Sequence, residues 1–390
     1  MIQEILHSDR ILYVAIFMIA FSIVIFSIPS VIYSALKYKL FDSSDLDRKT
    51  HGKNISRLGG IPIFVSFTIS VLLFSTLSDF KEANFLIIAC IILSALGLKD
   101  DMYGTNITTK FILQLTVAII LVFFGDFRLS SFYGVLNIGE LNYIGGSLFS
   151  IILIIFLNNA FNLIDGVDGL AASIGILSSL CFGFLFASMH EATYACIAFA
   201  LVGALVGFIK YNWWPAKIFM GDTGALTIGL ICATLAIKFI ELNKLVPTGN
   251  PDFQSSPAIA VAILIVPIFD SIRVFCVRIL NKKSPFRGDR NHIHHRLERL
   301  GLSSRKLVLL TVFLNISIIA FTVLFRSLGN FNLIVIIMSI CIIFNMYLSW
   351  RLRVKENQTC DKKISDRNSL NYHAKKVNFG FKLIENEARN

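Results

Sequence analysis

The chain has 390 residues, of which 55% are hydrophobic and only 16% are charged. Soluble domains carry about 25% charged residues, so this composition excludes a disordered chain or a coiled coil and argues against an ordinary soluble enzyme. The formal net charge of +11 would suit a nucleic-acid partner, and the positions of the basic residues decide whether that interpretation holds.

Eleven apolar stretches with few charges follow one another along the chain. Because a membrane-spanning helix needs about 20 apolar residues, each stretch is predicted to be a transmembrane helix. The first continues beyond signal-peptide length and lacks a small-residue cleavage site, so we expect it to be retained. The stretches are 11–36, 60–78, 84–98, 110–125, 147–162, 169–189, 192–209, 217–237, 257–279, 307–325 and 331–350.

Most of the 36 Lys and Arg residues fall in loops that follow odd-numbered stretches, or after residue 350. The positive-inside rule therefore places these loops and the C-terminus in the cytoplasm and the N-terminus outside. The aromatic residues lie in the apolar stretches and not among the basic residues, which argues against nucleic acid. The sequence predicts an all-α, multi-pass membrane domain over 1–350 and a basic, partly disordered cytoplasmic tail over 351–390.

Five polar clusters lie on predicted cytoplasmic loops or on the ends of the stretches beside them. Ionisable groups at membrane depth are costly, which makes them functional candidates. In the first cluster, HGKNISRLGG at 51–60, Arg57 could meet an anion, although a basic topological anchor is the alternative. In the second, Asp100 and Asp101 could bind Mg²⁺ or serve as a base, with Lys110 opening the next stretch; a solvated loop is the alternative.

The third cluster, NNAFNLIDGVDGL at 158–170, carries the strongest signal. Its polar residues recur every three positions, which keeps them near one face of a helix or on a helix broken by glycine. Broken helices at membrane depth line polar cavities, and amide and carboxylate oxygens are hard ligands for a divalent cation. These residues are Asn159, Asn162, Asp165 and Asp168.

The fourth cluster, KIFMGDTG at 217–224, places Asp222 between two glycines at the start of a stretch. The glycines leave space around the carboxylate for a metal ion and its ligand. The alternative is that Asp222 caps a helix.

The fifth cluster, PFRGDRNHIHHRLER at 285–299, combines arginines with three histidines. Zinc is an alternative because neutral His binds it, but the segment has no Cys partner and no HExxH spacing. Arg and His suit a di- or triphosphate better. The candidates are Arg287, Arg290, His292, His294 and His295. Together, acids for a divalent cation and bases for phosphate compose a phosphoryl-transfer site.

The order RKxH…RLGG, GLxDD…K…Q, NAFNLIDGVDGL, FMGDTG and DRNHIHHRLERLGLS resembles one family over about residues 1–350. It resembles the polyprenyl-phosphate N-acetylhexosamine-1-phosphate transferases, glycosyltransferase family 4, which are related to the phospho-MurNAc-pentapeptide translocase. The HIHHR form resembles the branch that starts teichoic acid, common antigen or O-antigen chains. One departure is Asn54-Ile55-Ser56, where the family often has Pro-x-Pro before the first-motif arginine.

The resemblance implies an eleven-span fold in a bacterial inner membrane, with the active site on the cytoplasmic face. It also implies that a UDP-HexNAc, by default UDP-GlcNAc, gives its sugar-1-phosphate to undecaprenyl phosphate and releases UMP. The expected cofactor is Mg²⁺, with Mn²⁺ as a substitute. The expected partners are these two substrates, membrane lipid and a second copy in a homodimer, but no nucleic acid.

The resemblance also assigns roles to the candidate residues. Asp222 and Asn162 are the expected metal ligands. Asp100 and Asp101 are expected to orient or deprotonate the acceptor phosphate, with a covalent aspartyl-phosphate as the minority interpretation. The residues expected to recognise the donor or support the metal are Asn159, Asp165 and Asp168. Those expected to hold the pyrophosphate or sugar phosphate are His292, His294, His295, Arg287 and Arg290, and the three histidines are counted with Asp100 and Asp101 as catalytic. Arg57 and Lys110 are expected to bind substrate.

A transporter or flippase for an anionic lipid or solute is the competing function class. It predicts polar residues at both membrane faces and an inverted repeat. Here the polar clusters gather on one predicted face and no repeat is detectable, which favours the transferase.

Overall fold

The computed structural model describes residues 9–40, 55–75, 81–244, 255–282 and 291–387. These residues form thirteen α-helices, two short 3₁₀ turns and an isolated β-bridge between Ser131 and Glu140. In chain order the helices are α1 Asp9–Tyr38, α2 Gly60–Ser75, α3 Lys81–Tyr103, α4 Ile107–Phe123, α5 Tyr143–Ile164, α6 Leu170–Ser188, α7 Ala192–Asn212, α8 Gly221–Asn243, α9 Ser256–Ile263, α10 Ile265–Leu280, α11 Ile293–Arg299, α12 Ser304–Leu324 and α13 Asn330–Glu387.

The described part of each predicted apolar stretch overlaps one of these helices or, for 257–279, the pair α9 and α10. Seven helices of the described chain are long and apolar enough to cross a membrane, namely α1, α5, α6, α7, α8, α12 and the first part of α13. The pair α9 and α10 makes an eighth if it is one span. Helices α2 and α4 are apolar but shorter. The protein is therefore an all-helical, multi-pass membrane protein.

The pair α9 and α10 is bent by 77° where Leu264 separates the two helices. Pro267 explains the position of the break, because a proline ring removes one helical N–H and clashes with the carbonyl four residues earlier, here that of Ile263. The stretch 257–279, predicted as one span, thus forms two helices joined at a break. As a result, α10 runs at a steep angle to α9 and packs against α5.

Helix α8 is the central helix. Nearly every residue from Thr223 to Ile240 is buried, although a helix at the edge of a bundle would leave one side to lipid. It packs against α2, α3, α5 and α6, among others. The N-terminus of α8, which carries Asp222, is therefore surrounded by protein.

Glycines allow the neighbouring helices to approach the start of α8. A Cβ at Gly97 of α3 would lie 2.5 Å from the Cα of Thr223, and a Cβ at Gly60 of α2 would lie 2.8 Å from the Cα of Gly224. Small residues at such crossings are typical of helix packing in membranes, where close backbone contact replaces a hydrophobic driving force. These contacts bring the polar ends of α2 and α3 to Asp222.

Helix α13 runs without a break from Asn330 to Glu387. It therefore passes through residue 350, where the apolar stretch ends. The division into a membrane domain over 1–350 and a tail over 351–390 stays a prediction.

Replacing Gly97 by Ala should destabilise the protein. The new Cβ would lie 2.5 Å from the backbone of Thr223. Backbone within a packed helix cannot move away as the end of a flexible side chain can. Overpacking of this kind costs about 1–3 kcal/mol, measurable as a lower thermal unfolding midpoint in detergent. Gly139→Ala is the matched control, because its Cβ would meet no atom within 4 Å. Equal midpoints for the two variants would contradict a tight contact between α3 and α8.

Candidate active site

The site is built around the start of α8. The Phe219 N–H donates to the Ser56 carbonyl at 2.9 Å, and the Gly59 N–H donates to the Phe219 carbonyl at 3.0 Å. These two bonds join the first-motif segment RLGG to the segment FMGDTG. Gly221 follows with φ of +71°, and a Cβ there would lie 2.6 Å from both carboxylate oxygens of Asp101. Only glycine fits this turn.

Asp101 caps α8 from the neighbouring helix α3. Its Oδ1 accepts the Asp222 N–H at 2.8 Å, and its Oδ2 accepts both the N–H and the hydroxyl of Thr223 at 3.0 and 2.7 Å. Both oxygens are thus engaged with groups that a helix N-terminus leaves without partners. The capping function considered for Asp222 belongs to Asp101. Its expected contact with the acceptor phosphate stays a prediction.

Asp222 lies at the meeting point of four helices. The Lys110 ammonium of α4 contacts its Oδ2 and lies 3.7 Å from Oδ2 of Asp100 on α3. The Asn162 amide of α5 donates to its Oδ1 at 2.8 Å. Lys110 therefore lies between two carboxylates that would otherwise repel each other. The carboxylates of Asp100 and Asp222 are partly exposed, by 24% and 23%, so they remain open to a ligand.

The side-chain oxygens around Asp222 are of the kind that bind a divalent cation together with a substrate. The Asn162 amide nitrogen donates a hydrogen bond to Asp222, so the Asn162 amide oxygen is left for another partner. Among the described residues, no group of three or more His, Cys, Asp or Glu side chains is placed to enclose a metal ion. Mg²⁺ is commonly held by one or two carboxylates, waters and substrate phosphates and not by an all-protein cage. Asp100, Asn162 and Asp222 offer that kind of open oxygen set.

The loop between α5 and α6 contributes two further acids. Asp168 accepts the Ala216 N–H at 3.2 Å. Asp165 follows the last residue of α5, and burial raises its pKa well above the usual range; the nearby Asp222, Asp101 and Asp168 charges act in the same direction. The arrangement therefore favours a cation beside Asp165.

Asn212, at the end of α7, holds this loop in place. Its Oδ1 accepts the Gly169 N–H at 2.9 Å, and its Nδ2 donates to the Ile218 carbonyl at 2.9 Å. Asn212 is 3% exposed, and it joins the DGVDGL loop to the segment before Asp222. The sequence analysis missed it, because its neighbours Tyr211 and Trp213 gave it no recognisable motif.

Asn159 faces α4 one turn below Asn162. Its Nδ2 donates to Gln114 Oε1 at 2.9 Å and to the Ile155 carbonyl at 2.8 Å, and its Oδ1 accepts from Gln114 Nε2 at 3.3 Å. The amide is therefore engaged in the contact between α4 and α5. Recognition of the donor by Asn159 stays a prediction.

The predicted histidines lie on and before the short helix α11. The His292 and His294 rings are parallel, with centroids 5.6 Å apart. His294 packs on the loop between α5 and α6 that carries Asp165 and Asp168, the acidic loop. A Cβ at Gly166 of this loop would lie 2.6 Å from the His294 Nε2. His295 is half-exposed and pairs with Glu298 at 3.2 Å. The structure thus joins the fifth cluster to the third, although the two are far apart in sequence.

Two of the predicted phosphate contacts, Arg287 and Arg290, lie outside the described residues. Arg57 is described: its backbone carbonyl approaches Gly221, and its charge opposes the rise in the pKa of Asp165. Arg296, from the same basic cluster, contacts Asn345 and donates to the Ser349 hydroxyl at 2.6 Å. It therefore anchors α11 to α13.

A buried group that the sequence analysis did not use supports α11. Asp270 of α10 accepts from the His292 Nδ1 and the Ile293 N–H, both at 2.9 Å, and from Arg273 at 3.2 Å. An acid and an arginine three residues apart within an apolar stretch could have indicated this cluster, because charges at membrane depth need partners.

Comparison with known proteins decides the family. The glycosyl transferase family 4 model matches residues 83–240. A probable undecaprenyl-phosphate N-acetylglucosaminyl 1-phosphate transferase of Bacillus subtilis is 34% identical over 306 residues, which cover 78% of this chain and 82% of the relative. The chain belongs to glycosyl transferase family 4, the polyprenyl-phosphate N-acetylhexosamine-1-phosphate transferases.

Other family 4 relatives match over similar lengths. A decaprenyl-phosphate N-acetylglucosaminephosphotransferase of Mycolicibacterium smegmatis is 32% identical over 70% of this chain and 72% of its own length. An undecaprenyl-phosphate alpha-N-acetylglucosaminyl 1-phosphate transferase of Escherichia coli K12 is 29% identical over 71% of this chain and 74% of its own length. The protein is therefore an enzyme, a membrane transferase, as the motif order predicted.

Replacing Asp101 by Asn should destabilise this transferase. The amide nitrogen would face N–H donors of α8 that now meet carboxylate oxygens, and loss of a helix cap costs about 0.5–2 kcal/mol. The thermal unfolding midpoint in detergent measures the loss. Asp126→Asn is the matched control, since Asp126 is exposed at a loop on the opposite end of the bundle. A midpoint for Asp101→Asn equal to that of the control would contradict the capping role.

The stability of the protein should fall in acid partly through His294. Burial lowers the pKa of this imidazole to about 4, from 6.5. Between these values the unfolded chain binds a proton that the folded chain excludes, so stability is complete above pH 6.5 and decreases as the pH falls toward 4. The measurement is the unfolding midpoint against pH. His294→Asn should reduce the slope in this window, whereas His190→Asn, at an exposed position, should leave it unchanged. An unchanged slope in His294→Asn would be evidence against a buried neutral imidazole.

Proposed function

We propose that the protein transfers a HexNAc-1-phosphate, with GlcNAc-1-phosphate as the first choice, from a UDP-sugar to undecaprenyl phosphate. The products are UMP and a lipid-linked pyrophosphate sugar that starts a cell-surface glycan of the O-antigen, common antigen or teichoic acid type. The observation that carries the proposal is the convergence of Asp100, Lys110, Asn162 and Asp222 from four helices at the partly exposed start of α8. The acceptor and sugar in the names of the relatives support it.

Charge repulsion is the main obstacle to this reaction. An acceptor phosphate is largely ionised at neutral pH, since its second pKa is about 6, and does not need a strong base to become a nucleophile. It must instead approach a donor pyrophosphate of the same sign. Lys110 supplies a positive charge between Asp100 and Asp222. Positioning and electrostatic stabilisation of this kind account for most of the catalysis of phosphoryl transfer.

Mg²⁺, or Mn²⁺ in its place, would supply Lewis-acid neutralisation of the phosphate oxygens when bound. Asp222 and Asn162 would hold it, with Asp100 beside them. Of the two acids expected near the acceptor, Asp100 has the more accessible carboxylate, because both carboxylate oxygens of Asp101 accept hydrogen bonds from the start of α8. We therefore assign orientation of the acceptor phosphate to Asp100 and positioning of α8 to Asp101. Asp165 and Asp168 would support the donor and the metal.

The histidines and arginines would contact the donor on the side opposite the metal-binding carboxylates. His294 packs against Gly166, so α11 lies next to the acidic loop. His292, His294 and His295, together with Arg57, Arg287 and Arg290, would hold the pyrophosphate or the sugar phosphate. Guanidinium groups suit this task because each can donate several hydrogen bonds to one anion, and a neutral imidazole can donate one.

We also propose the membrane arrangement: eleven spans in a bacterial inner membrane, the N-terminus outside, and the site and C-terminus cytoplasmic. The support is that the site uses the end of α3, the start of α4, the end of α5 and the start of α8. Consecutive spans alternate in direction, so these ends belong to one face, which carries most of the basic loop residues. A homodimer is proposed on the resemblance alone, and the mass of the purified particle in detergent would test it.

The test uses the purified protein in detergent with undecaprenyl phosphate and a panel of UDP-HexNAc donors. UMP release and the lipid-linked product are followed with Mg²⁺ and with EDTA. We expect Mg²⁺-dependent product from one donor, which would identify the sugar. Folded protein that yields neither UMP nor product from any donor would overturn the proposal.

Asp222→Asn should lower turnover by at least about 100-fold, the loss typical of removing a preorganised electrostatic group. The amide keeps the shape of the side chain but removes the charge that meets Lys110 and, when bound, the cation. Product formation at saturating Mg²⁺ measures the effect, and the unfolding midpoint shows whether the variant is folded. Asp126→Asn, the same change on the opposite side of the bundle, should retain wild-type turnover. Normal turnover in Asp222→Asn would refute the assignment of Asp222 to the metal.

A further inference from the structure

A buried charged cluster lies outside the acidic site, where α10 meets α11. Its members Asp270, Arg273 and His292 are 2%, 7% and 4% exposed. Buried charges at membrane depth are costly unless each has a partner. This cluster satisfies that condition without any residue of the Asp222 site.

Asp270 is the centre of the cluster. Its Oδ2 meets the His292 Nδ1 at 2.9 Å, and its Oδ1 accepts the Ile293 N–H at 2.9 Å and the Arg273 guanidinium at 3.2 Å. Arg273 also donates to the Asn291 carbonyl. One carboxylate therefore fixes the backbone at the start of α11 and a side chain next to it.

The contact with Asp270 determines the state of the His292 ring. An ionised carboxylate only accepts hydrogen bonds, and the always charged Arg273 beside it keeps Asp270 ionised. The His292 Nδ1 must then carry the proton, and Nε2 is the nitrogen left for any other partner. The partner of one ring nitrogen commonly sets the tautomer of a functional histidine in this way.

The effect of Asp270 extends to the acidic loop through ring packing. The His292 ring is parallel to the His294 ring at 5.6 Å, and the His294 Nε2 lies against Gly166. Gly166 stands between Asp165 and the rest of the DGVDG loop. A chain of direct contacts thus runs from Asp270 through the two histidines to the loop that carries Asp165 and Asp168.

We propose that Asp270 is a positioning residue of the transferase: it holds His292 in the Nδ1-protonated form and fixes the start of α11, so that the His292 and His294 rings are held beside the Asp165 loop, where the donor binds. This inference rests on the proposed function, in which the histidines contact the donor. Asp270 itself contacts no substrate. A carboxylate that orients a histidine acts through the histidine, and the loss of the carboxylate is expressed only when the histidine is present.

The test is a double-mutant cycle in the full-length protein in detergent. The variants are Asp270→Asn, His292→Gln and the two combined. Asp270→Asn should lower turnover by about 10- to 100-fold, the loss that follows removal of an outer partner of an active-site histidine. The double variant should be no slower than His292→Gln. Effects that multiply in the double variant would overturn the proposal, because they would show that Asp270 acts independently of His292.

Two controls separate positioning from folding. Asp270→Asn leaves Arg273 without its buried partner, so the pair Asp270→Asn with Arg273→Gln removes both charges together. This pair should show the same dependence on His292. Glu140→Gln changes an exposed acid that pairs with Lys244 at 3.1 Å on the opposite end of the bundle, and it should keep wild-type turnover.

A spectroscopic readout does not depend on turnover. The seven histidines are labelled with ¹⁵N in the ring, and His292 is assigned by the peak missing in His292→Gln. The wild type should show a proton on Nδ1 of His292, and Asp270→Asn should populate the Nε2-protonated form. An unprotonated Nδ1 of His292 in the wild type would overturn the proposal whatever the turnover of the variants. Wild-type protein that makes no lipid-linked product would instead overturn the proposed function, and the ring spectrum would still decide whether Asp270 sets the state of His292.

Discussion

The structure depends on the need to partner several carboxylates at a helix start that is only partly exposed. Burying an unpaired charge costs far more than a typical hydrogen bond returns. At the start of α8, two backbone N–H groups and a hydroxyl satisfy Asp101, and Lys110 and Asn162 satisfy Asp222. Gly60, Gly97 and Gly221 permit the close backbone approach that these bonds require. Packing and electrostatics at this point are therefore a single constraint.

The acidic residues divide into two groups by what their oxygens meet. Asp101, Asp168 and Asp270 are engaged with backbone N–H groups, so they hold the ends of helices and loops. Asp100 and Asp222 both meet the Lys110 ammonium, which a bound cation can displace, although Asp100 also accepts from Thr105. The difference matters because a family motif such as Asp100-Asp101 places two identical side chains side by side and gives them different tasks.

The sequence predicted the helices and the residue types of the site, but not which side chains form hydrogen bonds with one another. Apolar stretches of span length are a local property, and the described part of every predicted stretch overlaps a helix or a helix pair. The partners of Asp101 and Asp168 are 121 and 48 residues away, and no local pattern specifies such pairs. Asn212 was missed for the same reason, since it lies beside an apolar stretch and is explained only by its tertiary neighbours. Asp270 was visible as a charge within an apolar stretch, but its contacts with His292 and Ile293 were not. The break at Leu264 was a different kind of error, because Pro267 was visible in the sequence and breaks a helix by a local clash.

The site has two sides, one formed by carboxylates and one by histidines. The carboxylates lie on the ends of packed helices, whereas the histidines lie on or before a short helix that Asp270 and Arg296 anchor and whose Leu297 is buried in the core. A donor pyrophosphate needs cationic groups on both sides, because each phosphate carries charge that a single lysine cannot neutralise. In the proposed reaction the acidic side would hold the cation, and the basic side, which Asp270 and Arg296 anchor through α11, would hold the charged part of the donor.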